Sequence, residues 1–167
     1  MAQFKINLKD AINALKVDLA PSEVRKKIPK RVLDEAGKEM IDEIKNLVSK
    51  GTSPIRGEGK FAAYRGTYRD RIKKGKIPGK SLKPVNLTLD GDFMDSLEYK
   101  ILADKTVSIG FYDSLSKKKE QGHREGANGQ AQRPIIPLDE ETFKKQIMDI
   151  YEEKLINFIE SKFDLED

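Results

Sequence analysis

The chain has 167 residues, with 32 Lys/Arg against 28 Asp/Glu, one histidine, no cysteine and no tryptophan; 37% of residues are hydrophobic, 36% are charged and the net charge is +4. That length supports one domain spanning residues 1–167, and the hydrophilic balance predicts long polar loops or a large partner-facing surface around an ordinary core. The composition excludes disulfide frameworks, thiolate metal sites, cysteine nucleophiles and His-based zinc clusters, while the lack of an apolar run of about 18 residues predicts no membrane span and a soluble chain made in a cytoplasm.

A short amphipathic piece around Asp10 to Leu19 is expected first, ended by Pro21. Apolar residues then recur at Val24, Ile28, Val32, Ala36, Met40, Ile44 and Leu47/Val48, the four-residue spacing of one helix face. Pro29 tolerates a first turn but not a helix interior, and Gly51 supplies a left-handed stop, so the main helix is predicted at about 30–50. From 51 to 84 the periodicity vanishes among glycines and prolines, predicting a long basic loop excursion, mobile until it meets a partner. Within it, "FAAYRGTYRDRIKKG" has room for a short helix with Phe61, Tyr64 and Tyr68 on one side.

Beyond the loop, Val85, Leu87 and Leu89 alternate, and Asp90 is placed to cap a short helical turn through Ser96. Glu98–Leu102 and Thr106–Phe111, joined by "ADK", read as an antiparallel hairpin. Asp113–Gly122 is weakly helical. Residues 122–138 form a predicted extended arm: Gly122, Gly126 and Gly129 give reach, and Arg133, Pro134 and Pro137 stiffen the approach to a final helix from Asp139. That helix has Phe143, Ile147, Ile150/Tyr151, Leu155 and Phe158/Ile159 on its apolar face, with Asp139 as N-cap and Leu138 stapled to Phe143.

Charge is segregated along the sequence. Ten Lys/Arg face only Glu58 and Asp70 between Arg56 and Lys83, whereas Asp139–Asp167 holds ten acids and four lysines. The basic residues Arg56, Lys60, Arg65, Arg69, Arg71, Lys73 and Lys74, interleaved with Tyr64 and Tyr68, are suited to phosphates and base stacking, or equally to an acidic protein surface. No catalytic motif is complete. "GEGKF" has Pro54 where a phosphate loop needs its first glycine and Phe61 where it needs a hydroxyl. Asp90, Asp92 and Asp95 lack the calcium-loop spacing and its terminal Glu. His123, flanked by glycines, reads as an exposed or interface residue; a hydrolase would have to recruit it with Glu125 or Asp113. The chain is therefore expected to be neither an enzyme nor the holder of a cofactor or metal.

The order of segments resembles a known family. "LTLDGDFMDSL" resembles the leucine, glycine, serine-leucine box of the neck and tail-completion proteins of tailed bacteriophages, a group including Mu-type virion morphogenesis and lambdoid minor tail proteins. "VSIGF" is similar to that family's second strand and "RPIIPLDEETFKKQI" to its closing arginine-proline segment, while the first helix and "SPIRGEGKFAAY" stand in the same order, covering roughly residues 25–160.

The resemblance implies an α+β protomer, with N- and C-terminal amphipathic helices packed on a small antiparallel sheet. It further implies a structural virion protein that forms a homo-oligomeric ring, of roughly sixfold or twelvefold order, where head joins tail. The implied partners are further copies of the chain, the portal or head adaptor, tail proteins and the DNA passing through the channel; the implied location is the virion neck, after assembly in the host cytoplasm. Under this reading Gly122, Gly126, Gly129, Arg133, Pro134, Ile135 and Ile136 make contacts between subunits, with Ile135 and Ile136 as the anchor. The alternative is a free nucleic-acid-binding protein using residues 56–83.

Overall fold

The computed structural model describes residues 3–6 (backbone only), 24, 26–87, 92–126, 130–138 and 141–163. The expected piece at Asp10–Leu19, the proposed cap Asp90 and Gly129 lie outside them. In chain order the described elements are β1 (Gln3–Ile6), α1 (Lys30–Ser49), α2 (Gly66–Lys73), α3 (Asp92–Asp95), β2 (Leu97–Ile101), β3 (Val107–Phe111), α4 (Ser114–Glu125) and α5 (Lys145–Phe163). The fold is α+β, and among the described residues its buried apolar side chains, Ile55 apart, form one cluster.

Helix α1 organises that cluster. Pro29, in extended conformation, stands immediately before it, and Gly51 closes it with φ of 72°. The amides of Gly51 and Thr52 return to the carbonyls of Val48 and Leu47 at 2.9 and 3.0 Å, the two hydrogen bonds of a Schellman stop. A side chain at Gly51 would meet the Val85 carbonyl at 2.8 Å, so glycine is required here for space as well as for φ. The predicted stripe of Val32, Ala36, Met40, Ile44, Leu47 and Val48 is buried, and so is a second row, Leu33, Gly37 and Ile41. Both rows are needed because α1 packs on β2 and β3 with one side and on α5 with the other.

The sheet has the order β1-β3-β2, antiparallel throughout. In β2–β3, Leu97 pairs with Phe111, Tyr99 with Ile109 and Ile101 with Val107, which puts these six side chains on one face. Tyr99 identifies it as the face toward α1: a Cβ added at Gly37 would stand 2.6 Å from its ring. The hairpin forms as expected, with Lys105 at φ of 66° in the turn and its ammonium donating to the Ile28 carbonyl at 3.3 Å. β1, which the opening sequence did not announce, pairs along β3 from Gln3 opposite Gly110 to Ile6 opposite Val107.

Three expectations are corrected. The predicted loop excursion over 51–84 is sewn to the core: Ile55, Phe61, Tyr64, Ile72 and Ile77 are all buried, and isolated bridges pair Thr52 with Lys60 and Ile55 with Phe143. Its apolar residues are too irregularly spaced to show a period, yet each points inward. The last helix starts at Lys145, so Phe143 is held in a bridge rather than on the helix face; the expected N-cap, Asp139, lies outside the described residues. The remainder of the predicted face, Ile147, Tyr151, Leu155, Phe158 and Ile159, is buried against α1 and the core.

The third correction concerns the arm. Gly122 lies inside α4, Gly126 ends that helix with φ of 71°, and Ile135 and Ile136 are 0% exposed. The segment expected to leave the domain is a strap of its core. Its apolar pair is buried within the chain's own core because the Arg133 amide is held by the His123 carbonyl at 2.7 Å, which draws the strap back along α4.

Gly37→Ala gains about 1 kcal/mol of helix propensity but forces the new methyl into the Tyr99 ring, a collision of about 1–3 kcal/mol. A net loss of stability is expected in the wild-type background and a net gain once Tyr99→Ala has removed the ring, as measured by urea unfolding of the four variants in a double-mutant cycle.

Candidate functional site

The basic segment divides by burial. Arg56, Lys60, Arg65, Arg69, Arg71, Lys73 and Lys74 are all exposed, as are Lys76 and Lys83. Arg65, Arg69 and Lys73 follow at four-residue intervals on α2 and its N-cap, forming a ridge of like charge. Neighbours of like charge at this spacing each destabilise a helix by about 0.2–0.5 kcal/mol. The opposing contribution is the burial of Ile72 from the same helix and of Ile77 after it. None of the seven sequence-selected cations makes an ion pair among the described residues.

The two tyrosines do not share that exposure. Tyr64 is buried, donates its hydroxyl to the Asn86 carbonyl, and meets half-buried Tyr68 edge-on with ring centroids 5.3 Å apart. Burial, then the neighbouring Tyr68, pushes the Tyr64 phenol up to about 12. Tyr64 is thus a core residue and not a platform for bases, a correction to its expected role. Lys80 also turns inward, donating to the Asn86 carbonyl at 2.9 Å and to its side-chain oxygen at 3.1 Å.

Arg133 ties the segment down. It is 2% exposed, and its guanidinium donates to the Ala62 carbonyl at 2.9 and 3.1 Å, to Ala63 at 3.2 Å and to Ala131 at 3.3 Å. It also lies 5.0 Å from the centre of the Tyr64 ring. Burial lowers its pKa. Carbonyl dipoles and the negative face of an aromatic ring therefore hold this cation, with no carboxylate paired to it among the described residues. Pro134, beside it, accepts from the Ser53 hydroxyl at 3.3 Å. Lys144 completes the fastening by donating to the carbonyls of Ser53 and Glu58 at 2.5 and 2.8 Å.

His123 is half-buried on α4, not on a mobile segment, with its ring 5.3 Å from that of Phe93. Burial, then the charges of Arg133, Lys80 and Lys119, push it down to about 4, so it is neutral at pH 7. The acids proposed to join it are engaged elsewhere: Asp113 caps α4 through the Ser116 amide at 2.8 Å, and Glu125 accepts from Gln121 at 2.7 Å. The structure does not bring the three together. Asp95 pairs with Lys45 at 3.5 Å, and among the described residues no cluster of three His, Cys, Asp or Glu side chains is arranged for a metal. No helix of the described residues is long and apolar enough to cross a membrane.

Sequence reasoning missed the inward roles of Arg133, Lys80 and Lys144. The available signal was the arginine beside "PIIP", since an apolar pair between prolines is more readily buried than displayed. No family model, curated protein or solved structure matches the chain.

Arg133→Ala is expected to lower stability by about 2–3 kcal/mol, as a group that satisfies several carbonyls is lost. It should also open residues 60–76 to protease first; thermal unfolding and limited proteolysis measure the two effects. For His123, with an ordinary value of 6.5 and a folded value of about 4, the unfolded chain binds a proton that the folded chain refuses between those pH values. Its stabilising contribution is complete above about pH 6.5 and is lost as pH falls toward 4, by roughly 2–3 kcal/mol. In His123→Gln that part of the pH dependence should vanish from urea midpoints taken across the window.

Proposed function

We propose that the chain is a structural protomer that self-associates into a ring at the head–tail junction of a tailed bacteriophage. The observation that carries the reading is the ridge of Arg65, Arg69 and Lys73, exposed, unpaired among the described residues, and fastened to a packed core by Arg133 and Lys144. A fixed row of cations in that state is matched to a negative surface outside the protomer. The α1–α5 layer offers such a surface on the next copy, with Asp42, Glu153 and Glu160 exposed. Packaged DNA offers another. The order of the "LTLDGDFMDSL", "VSIGF" and "RPIIPLDEETFKKQI" segments supports placing the ring in the virion neck, with a portal or adaptor on one side and tail proteins on the other.

The same exposed ridge favours a second reading, a free nucleic-acid-binding protein; its affinity would fall steeply with salt, by about 0.7–0.9 in log–log slope per phosphate neutralised.

The deciding experiment is loss of the gene in the phage that carries it. Full heads and finished tails should accumulate unjoined, and added wild-type protein should join them, whereas Arg69→Glu with Lys73→Glu should be at least tenfold less effective. Normal yields of infectious particles without the gene overturn the neck reading. Tight DNA binding by the isolated protein, together with normal head–tail joining in its absence, moves the assignment to the second.

A further inference from the structure

Behind α4 lies a cavity of about 330 Å³ that none of the contacts described above explains. Its apolar side is made by Phe111 and Leu138, and Lys117, Lys118, Gln121 and Arg124 border it. Glu120 and Glu125 also reach the cavity but are already matched, Glu120 with Arg124 at 3.3 Å and Glu125 with Gln121 at 2.7 Å. Arg124 is shared further with Glu141 at 3.6 Å and with the Ile136 carbonyl. Lys117 and Lys118 make no ion pair among the described residues, and one turn away Leu115 stands 62% exposed. The site therefore combines an apolar recess with positive charge that no carboxylate among the described residues neutralises, and an exposed leucine stands on the same helix.

The sequence contains a segment of complementary character. Residues 164–167 read Asp-Leu-Glu-Asp, one large apolar side chain among three acids, directly after α5. The end of α5 lies away from the cavity of its own chain. Lys154 pairs with Glu39 at 2.7 Å and Gln146 bonds Glu43, so α5 runs antiparallel to α1. Asp95, just before the strand that pairs Leu97 with Phe111, meets α1 at Lys45, near the start of α5; the hairpin turn meets the chain at Ile28, near the end of α5. From Gln146 to Phe163 the helix advances about 25 Å, away from Phe111. Four residues span at most about 14 Å.

We infer that the cavity behind α4 is a docking pocket for residues 164–167 of a second copy. Leu165 fills the recess over Phe111 and Leu138, and the flanking acids lie on Lys117 and Lys118. The pocket and the end of α5 lie at opposite ends of one copy, so the contact is head-to-tail, and each copy both gives and receives. This inference deepens the ring reading above by naming the contact between its subunits, and it rests on that reading for closure into a ring.

The test uses the full chain in sedimentation experiments at roughly 50 mM salt, where charge pairs are least screened, with circular dichroism to verify folding. Wild type should self-associate. Deletion of 164–167, Leu165→Asp, and Lys117→Glu with Lys118→Glu should each weaken association by roughly tenfold or more. A chain with an acidic pocket (Lys117→Glu, Lys118→Glu) and one with a basic segment (Asp164→Lys, Glu166→Lys, Asp167→Lys) should fail alone and associate when mixed. The inference is overturned by no association of wild type, by association unchanged on deletion of 164–167, or by failure of the mixed pair. Association that survives the deletion but is lost in the lysine reversals shows that the pocket takes another acidic surface, and this also overturns it. Head–tail joining is assayed separately, so the neck reading can stand when this contact falls.

Discussion

Everything in this fold depends on α1 being buried from two sides. A helix that covers a sheet needs one apolar stripe; α1 carries two adjoining rows because β2 and β3 take one and α5 takes the other. The approach to the sheet is set by Gly37 under the Tyr99 ring, where absence of a side chain lets helix and strand close up. The approach to α5 is set along its length, with Glu39 and Lys154 paired at the edge of the contact. Burial of about 25 cal/mol per Å² rewards both contacts, but only a helix in this central position receives both at once.

The strongly basic segment can be ordered only because its charge and its apolar residues are sorted to opposite sides. Ile55, Phe61, Tyr64, Ile72 and Ile77 go inward, while the arginines and lysines of α2 go outward. A ridge of like charge repels itself, so the support has to come from below. It comes from groups that carry charge themselves but spend it on carbonyls: Arg133 on Ala62 and Ala63, and Lys144 on Ser53 and Glu58. A carboxylate in these places could not donate to those carbonyls, and it would also neutralise the field that the ridge projects.

Local rules were legible in the sequence and long-range ones were not. The limits of α1 followed from Pro29 and Gly51, and the hairpin from alternation around "ADK", because each is decided within a few residues. The basic segment and the strap were misread because their structure depends on partners far along the chain: Ile55 on Phe143, Arg133 on Ala62, Ser53 on Pro134. Glycines around residues 122–126 suggested reach, yet only Gly126 needs a left-handed φ, while Gly122 is an ordinary helical residue whose neighbours Glu120 and Arg124 pair across the turn. Of the candidate site, the exposed cations were foreseen correctly as exposed, and the burial of Tyr64 and Arg133 was not foreseen. Composition reports which charges exist, whereas burial of Tyr64 and Arg133 is settled by packing.

The grip of Arg133 on Ala62 and Ala63 falls entirely on main-chain oxygens, while the residues themselves are exposed. Those two positions are thus free to vary in side chain without loosening the clamp, so long as the backbone keeps its path. In a chain that contains no cysteine, a single thiol placed at either one would be a unique chemical handle a few residues from the cationic ridge. A dye or spin label attached there would report on whatever the ridge touches while leaving the supporting interactions in place.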